Sequence, residues 1–271
     1  MKKNKLITIV LTLALVLVFA SAAVPAAFAD NSVTVYVTIA NGTPVLTEKA
    51  ITVTDTDGDG ALTINDVLVL AHDAAYDGGA AAGYASANGT YGLAITKLWG
   101  VENGGSYGYY VNNKSAMGLS DKVADGDHVY AFIYTDTVGF SDIYCYFDNF
   151  SVSAAKGESV TLTLLSAGYD ANWQPVTTPV SGAAITIDGK KTEYVTDAEG
   201  KVTVSFADAG KHTVSATHDT VRMVPPVLTA DITDASSPVT GDRAMTVVCA
   251  AVAAMGIFSV ALVGIRKADE K

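Results

Sequence analysis

One twelve-residue run, Asp55-Thr56-Asp57-Gly58-Asp59-Gly60-Ala61-Leu62-Thr63-Ile64-Asn65-Asp66, constrains this chain more than any other. Carboxylates occupy its positions 1, 3, 5 and 12, and glycine its position 6. A hard cation such as calcium takes roughly six to eight oxygens, and a short acidic loop can wrap it. The expected ligands are the carboxylates of Asp55, Asp57, Asp59 and Asp66 and the backbone carbonyl of Ala61, with Thr63 acting through a water. Gly60 supplies a sharp turn that a residue with a Cβ resists, and Leu62 can pin the loop to a core. The same residues admit a plainer reading, an acidic turn capped into a helix by a Thr63–Asp66 capping box.

The flanks set the loop between a strand and a helix. Val33-Thr34-Val35-Tyr36-Val37-Thr38-Ile39 alternates β-branched and polar residues with period 2, Asn41-Gly42 marks a tight turn, and Ala50–Val53 reads as a second strand. Downstream, Ile64, Val67, Leu68, Ala71, Ala74 and Ala75 recur at helical spacing, which predicts an amphipathic helix over Ile64–Tyr76 that stops at Gly78-Gly79. Only the exiting helix of a paired hand is present. The loop resembles that of the EF-hand, and more closely its dockerin-type variant, in which the twelfth residue is Asp. The Gly/Ala-rich stretch Gly78–Gly89 reads as a connector, and Tyr91–Trp99, Tyr107–Val111 and His128–Thr135 as strands. Two strands, a helix and further strands imply an α+β domain with one helix laid on a mixed sheet, a β-grasp-like arrangement.

Tyr109-Tyr110-Val111-Asn112-Asn113-Lys114, followed by Ala124-Asp125-Gly126-Asp127-His128-Val129-Tyr130 and on to Tyr134, resembles the bacterial DUF4430 domain, which is similar to the C-terminal β-domain of transcobalamin. The resemblance covers Val33 to Phe150, with the acidic loop as an insertion between the second strand and the helix. It implies, as an alternative function, extracellular capture of cobalamin, another corrinoid or a similar small molecule. Tyr91, Tyr107, Tyr109, Tyr110, Tyr130, Tyr134, Tyr144 and Tyr146 crowd this region. They can form an exposed platform for a glycan or flat ligand, or fill a sheet–helix core with their hydroxyls at the rim.

From Ser151 the chain turns to Thr/Val-rich alternation. Ser159–Leu165, Ala183–Asp188, Thr192–Thr196, Lys201–Phe206, Lys211–Thr217 and Val227–Thr233 are strands at short spacing, with Asp197-Ala198-Glu199-Gly200 and Asp208-Ala209-Gly210 as turns. That profile predicts an all-β sandwich. Gly182–Ala216, with its run from Thr196 to Val204, resembles bacterial Ig-like surface modules, with Trp173 as a candidate core aromatic. The expected organisation is residues 1–29 as a signal peptide, 30–150 as the α+β domain, 151–233 as the Ig-like sandwich, 234–241 as stalk and sorting motif, 245–265 as a transmembrane helix and 266–271 as a basic cytoplasmic tail.

The ends carry the address. Lys2, Lys3 and Lys5 precede the apolar run Leu6–Ala20, and Ala27-Phe28-Ala29 forms a small-x-small cleavage site. Met245 to Ile265 is 21 residues without a charge, followed at once by Arg266 and Lys267, which fits a single membrane span with a cytoplasmic tail. Upstream stands Ser237-Pro238-Val239-Thr240-Gly241. Motif, span and basic tail in that order resemble a sortase cell-wall sorting signal, in which a transpeptidase attacks the Thr240 carbonyl and releases Gly241 onward. Ser237 stands where Leu is common, which points to a variant sortase. The expected partners are thus a sortase-type transpeptidase, the cell wall, the membrane through the C-terminal helix, and an extracellular glycan, protein or corrinoid.

Between Asp30 and Thr240 there are 25 acidic and 10 basic residues, a net of −15, which argues against nucleic acid and anionic lipid headgroups. Cys145 lies in the exported part and Cys249 in the span, so core burial, with calcium, must hold the ectodomain together. Cys145 reads as a buried small side chain, and His72 as a partly exposed helix residue. Gly104-Gly105-Ser106-Tyr107-Gly108 matches G-x-S-x-G without the strand-to-helix context it requires, and the four histidines show no zinc spacing. The sequence therefore reads as a bacterial cell-surface, calcium-binding adhesion or ligand-binding protein that is not an enzyme.

Overall fold

The computed structural model describes residues 32–234. The signal peptide, the sorting motif Ser237, Pro238, Thr240 and Gly241, the span 245–265 and the tail lie outside the described residues. Among the described residues no helix is long and apolar enough to cross a membrane. The chain forms two compact units. Among the described residues, the first takes 32–41 and Glu48–Thr137, and the second takes Gly42–Thr47 and 138–234.

The elements around the first unit are β1 (Val33–Asn41), β2 (Thr43–Val53), α1 (Ile64–Ala75), α2 (Gly79–Gly83), β3 (Ala85–Gly89), β4 (Gly92–Lys97), β5 (Tyr107–Val111), β6 (Lys114–Ser115) and β7 (His128–Ile133). Five strands make one mixed sheet in the order β2-β1-β7-β5-β6. The first strand lies parallel to the last, with Tyr36 opposite His128 and Ile39 opposite Ala131. Alternation in β1 puts Val35, Val37 and Ile39 on one face, all fully buried. The stripe Ile64, Val67, Leu68 and Ala71 of α1 is equally buried, as its helical spacing predicts. Each large aliphatic residue so enclosed contributes about 1.5–3 kcal/mol. The stretch expected as a connector, 78–89, instead holds α2 and then β3, which pairs with β4 as a separate hairpin. A run of alanines between glycines is short enough to read as linker, yet it closes a helical turn.

The second unit contains β8 (Ile143–Phe147), β9 (Ser151–Ala155), β10 (Ser159–Tyr169), β11 (Pro175–Pro179), β12 (Ala184–Ile187), β13 (Lys190–Val195), β14 (Lys201–Ser205), β15 (Gly210–Thr217), β16 (Met223–Val224) and β17 (Leu228–Thr233). One sheet has the order β11-β10-β8-β16, with β14 also paired to β10, and the other β13-β12-β15-β17-β9. Their inward residues share one core: Cys145, Phe147, Leu162 and Leu164 from the first sheet, Ile185, Val214, Leu228 and Ala230 from the second. This is a β-sandwich, as the turn spacing predicts. It begins before the expected boundary at residue 151, because β8 pairs with β10 and sends Cys145 and Phe147 into this core. Burial pushes the Cys145 thiol up to about 12, so it packs as a small apolar group. Trp173, expected in this core, stands in the turn between β10 and β11 and is 80% exposed.

Candidate metal centre

The acidic run lies between β2 and α1, and it is held at both ends. On the helix side Ile64 N–H donates to the Asp121 carbonyl and Asn65 N–H to the Leu119 carbonyl, each at 3.0 Å, while Val123 N–H donates to the Leu62 carbonyl at 3.0 Å. These bonds fasten residues 62–65 to the segment 119–123, so the expected anchoring role of Leu62 is carried by its backbone carbonyl. Gly58 and Gly60 take φ of +77° and +82°, a left-handed backbone that glycine adopts without the strain of a Cβ.

Those turns aim successive amides at the first carboxylate. Asp55 Oδ1 accepts from Gly58 N–H at 2.7 Å and Oδ2 from Gly60 N–H at 2.8 Å. The Gly60 and Gly58 amides hold the Asp55 carboxyl below its ordinary range, so it stays ionised and fixed in direction. Asp59 Oδ1 accepts from Ala61 N–H at 2.8 Å, and Asp57 Oδ1 from Asp59 N–H at 3.3 Å. Asp55, Asp57 and Asp59 thereby each bring one carboxylate oxygen within 4.8 Å of the others. All three are exposed. The donor set is hard oxygen only, which suits calcium rather than a soft transition metal.

Asp66 is placed differently. It is fully buried, and its Oδ1 accepts from Thr56 N–H at 2.8 Å and from Thr56 Oγ1 at 2.6 Å. Its Oδ2 accepts from Thr63 N–H at 2.9 Å and Thr63 Oγ1 at 2.8 Å. Thr63 is the N-cap of α1, and the capping box with Asp66 is complete. Burial pushes the Asp66 carboxyl up, but the bonds from Thr56 and Thr63 outweigh it and leave the group below its ordinary value. The structure thus brings together Asp55, Asp57 and Asp59, while Asp66 ties the start of the loop to the start of the helix.

Other residues singled out in the sequence fall outside this centre. His72 is fully buried, not a partly exposed helix residue. It follows Leu68 by four, on the same face of α1, and that spacing was the signal for its burial. Tyr76, Tyr84 and Trp99 surround it at ring-centroid distances of 6.0, 5.2 and 5.2 Å. A Cβ on Gly83 would meet both the Tyr76 ring and His72. Of the tyrosines, Tyr84, Tyr130 and Tyr144 are buried and the β5 set is half-buried, whereas Tyr91 is fully exposed in the turn between β3 and β4. Ser106 of the G-x-S-x-G match leads into β5, not a helix, and its N–H donates to Asn103 Oδ1 at 3.0 Å.

No protein-family model matches the sequence, and no curated protein matches it. Among solved structures, the crystal structure of Dscam1 isoform 6.9, N-terminal four Ig domains, aligns at 11% identity over 55% of this chain, with a TM-score of 0.22. This chain spans about a third of the length of that one, with 36% of it covered.

Proposed function

We propose that this protein is an exported bacterial surface module that binds calcium at Asp55, Asp57 and Asp59 and recognises an extracellular partner without catalysis. The observation that carries the reading is the convergence of three carboxylate oxygens on one loop, the first carboxylate oriented by two backbone amides. The carbonyl of Ala61 completes the ligand set on this reading, and Asp66 serves as the strut that keeps the loop against α1. The finer fold assignments follow: the parallel pairing of β1 with β7 beneath one helix supports a β-grasp-like first domain, and the two-sheet core supports an Ig-like second domain. Calcium on such a loop acts as a staple, because one exiting helix gives no helix pair to open. At extracellular affinities of about 10⁻⁴–10⁻³ M, calcium would fill the site outside the cell and chelation would empty it.

Thermal melting of the protein in millimolar calcium and in EDTA tests this reading. Calcium raises the midpoint for the unaltered chain, and Asp55→Ala abolishes the difference. A midpoint indifferent to calcium, or an Asp55→Ala chain that responds as before, removes the metal site. Capture of a corrinoid stands as the second reading on the DUF4430 resemblance alone; a cobalamin absorbance titration without spectral change discards it.

A further inference from the structure

The hairpin of β10 and β11 carries a residue that its own backbone disfavours. The strands pair as far as Tyr169 opposite Pro175, and residues 170–174 close the turn. Trp173 N–H donates to the Asp170 carbonyl at 3.0 Å, and Asp170 N–H to the Gln174 carbonyl at 2.9 Å. Asp170 Oδ1 accepts from the N–H groups of Asn172 and Gln174, both at 2.8 Å. The turn is therefore rigid, a tight turn followed by one left-handed residue, where hairpins of this length ordinarily place glycine. Here that residue is Trp173, at φ +59°. A bulky side chain is an outlier in this region of backbone space, and strain of this kind collects at binding sites. The indole gains little from the fold in return, since it is 80% exposed. Its ring neighbour is Tyr169, 51% exposed, with centroids 6.3 Å apart and planes tilted by 49°.

We propose that Tyr169 and Trp173 form the tip of a binding site for a neutral glycan, which they hold by stacking on the apolar C–H face of a sugar ring. Tyr and Trp offer large rigid faces at low entropic cost, which is why they dominate recognition surfaces. The rim suits hydroxyl groups: Asn172, Gln174, Thr177 and Thr178 are exposed and uncharged. Asp170 is the only charge between Tyr169 and Pro179, and one of its oxygens is taken by the turn. With no Lys or Arg there and a net of −15 over the exported region, sulfated or acidic glycans and anionic lipid are repelled. A peptide adding itself as a strand is disfavoured as well. The edge strand β11 begins and ends with proline, which has no N–H to offer, and prolines blunt such edges. The proposal rests on export to the cell surface, as proposed above, and not on the calcium loop.

The test is co-sedimentation of the full chain, in a detergent without a sugar headgroup, with insoluble cellulose, chitin, xylan and mannan, and with albumin-coated beads. At least one polysaccharide should sediment the chain, equally in EDTA and in calcium, so that failure of the metal site would leave the result untouched. Trp173→Gly should weaken that binding at least tenfold while melting no lower than the unaltered chain, because glycine accepts the left-handed backbone. Trp173→Asn, which tolerates the same backbone, should repeat the loss if the glycine variant fails to fold, and Tyr169→Ala should weaken binding to a lesser degree. The proposal is overturned if no polysaccharide sediments the chain or if Trp173→Gly and Trp173→Asn bind as well as the unaltered chain. Binding to protein-coated beads alone, lost in the Trp173 variants, also overturns it and assigns the tip to a protein.

Discussion

The protonation of His72 is set by its two neighbours. Nε2 accepts the N–H of Trp99 at 3.0 Å, and a backbone N–H can only donate, so the proton of the neutral ring sits on Nδ1 and is donated to the Leu68 carbonyl at 2.6 Å. A second proton on Nε2 would set two donors against each other. Burial holds the His72 pKa below 6.5, although the Leu68 bond and the nearby Asp73 pull it upward. Below pH 6.5 the unfolded chain therefore binds protons that the folded chain refuses, and stability falls as pH falls through that window. His212 in the second unit has the opposite sign. Its bond to Asp188 raises its pKa above 6.5, so the stability it contributes is present at low pH and fades as pH rises through the raised value. A local probe separates the two. Trp99 lies 5.2 Å from His72, and in Trp173→Gly it is the sole tryptophan of the chain. The melting midpoint reported by Trp99 emission should drop between about pH 7.5 and about pH 5.5. Adding His72→Leu should flatten that dependence and cost about 1–3 kcal/mol at neutral pH, through the unpaired Trp99 N–H. An unchanged pH profile in the His72→Leu chain would assign the effect elsewhere.

At the next scale, the acidic loop and the start of α1 are one construction with two kinds of carboxylate. Asp55, Asp57 and Asp59 converge in the open, while Asp66 spends all its accepting capacity on Thr56 and Thr63. Asp66→Ala should therefore lower stability by about 3 kcal/mol whether or not calcium is present, since it strands buried donors and removes half of the capping box. Asp57→Ala should leave the midpoint in EDTA unchanged and shrink only the increment that calcium adds. If Asp66→Ala matters only in calcium, Asp66 is a ligand after all. This division was not legible in the sequence, because a carboxylate at the twelfth position serves a metal and a capping box equally well. The capping role shows in Thr63 and in Thr56, ten residues upstream of Asp66, whose N–H and hydroxyl both reach it. The helix itself was legible, since period and cap agree over Thr63–Ala71. Trp173 was not, because an aromatic beside a turn reads as core until the pairing of Tyr169 with Pro175 places it at the tip.

Across the whole molecule, sequence pattern predicted strands well and their partners poorly. The alternation of Val33–Ile39 marks a strand, but nothing local says that its neighbour is His128–Ile133, some ninety residues on and parallel. Likewise Ile143–Phe147 lies within the expected first domain, 30–150, yet sends Cys145 and Phe147 into the core of the second unit. The tail raises a question of the same long-range kind, because its meaning depends on the order of motif, span and charge. The expected sorting signal rests on the order of Ser237-Pro238-Val239-Thr240-Gly241, the uncharged stretch Met245–Ile265 and Arg266-Lys267. If a sortase acts there, the wall-linked protein ends at Thr240 and has lost the span, and the acidic ectodomain stands on the wall by a covalent link. Mass spectrometry of protein released from the wall by muralytic enzymes should find Thr240 joined to a cell-wall peptide and no fragment of 241–271. Pro238→Ala should move most of the chain into the membrane fraction at full C-terminal length. Recovery of the unaltered chain only from the membrane, with 241–271 still attached, would make the tail a plain anchor, and the ectodomain would then be displayed at the membrane surface rather than on the wall.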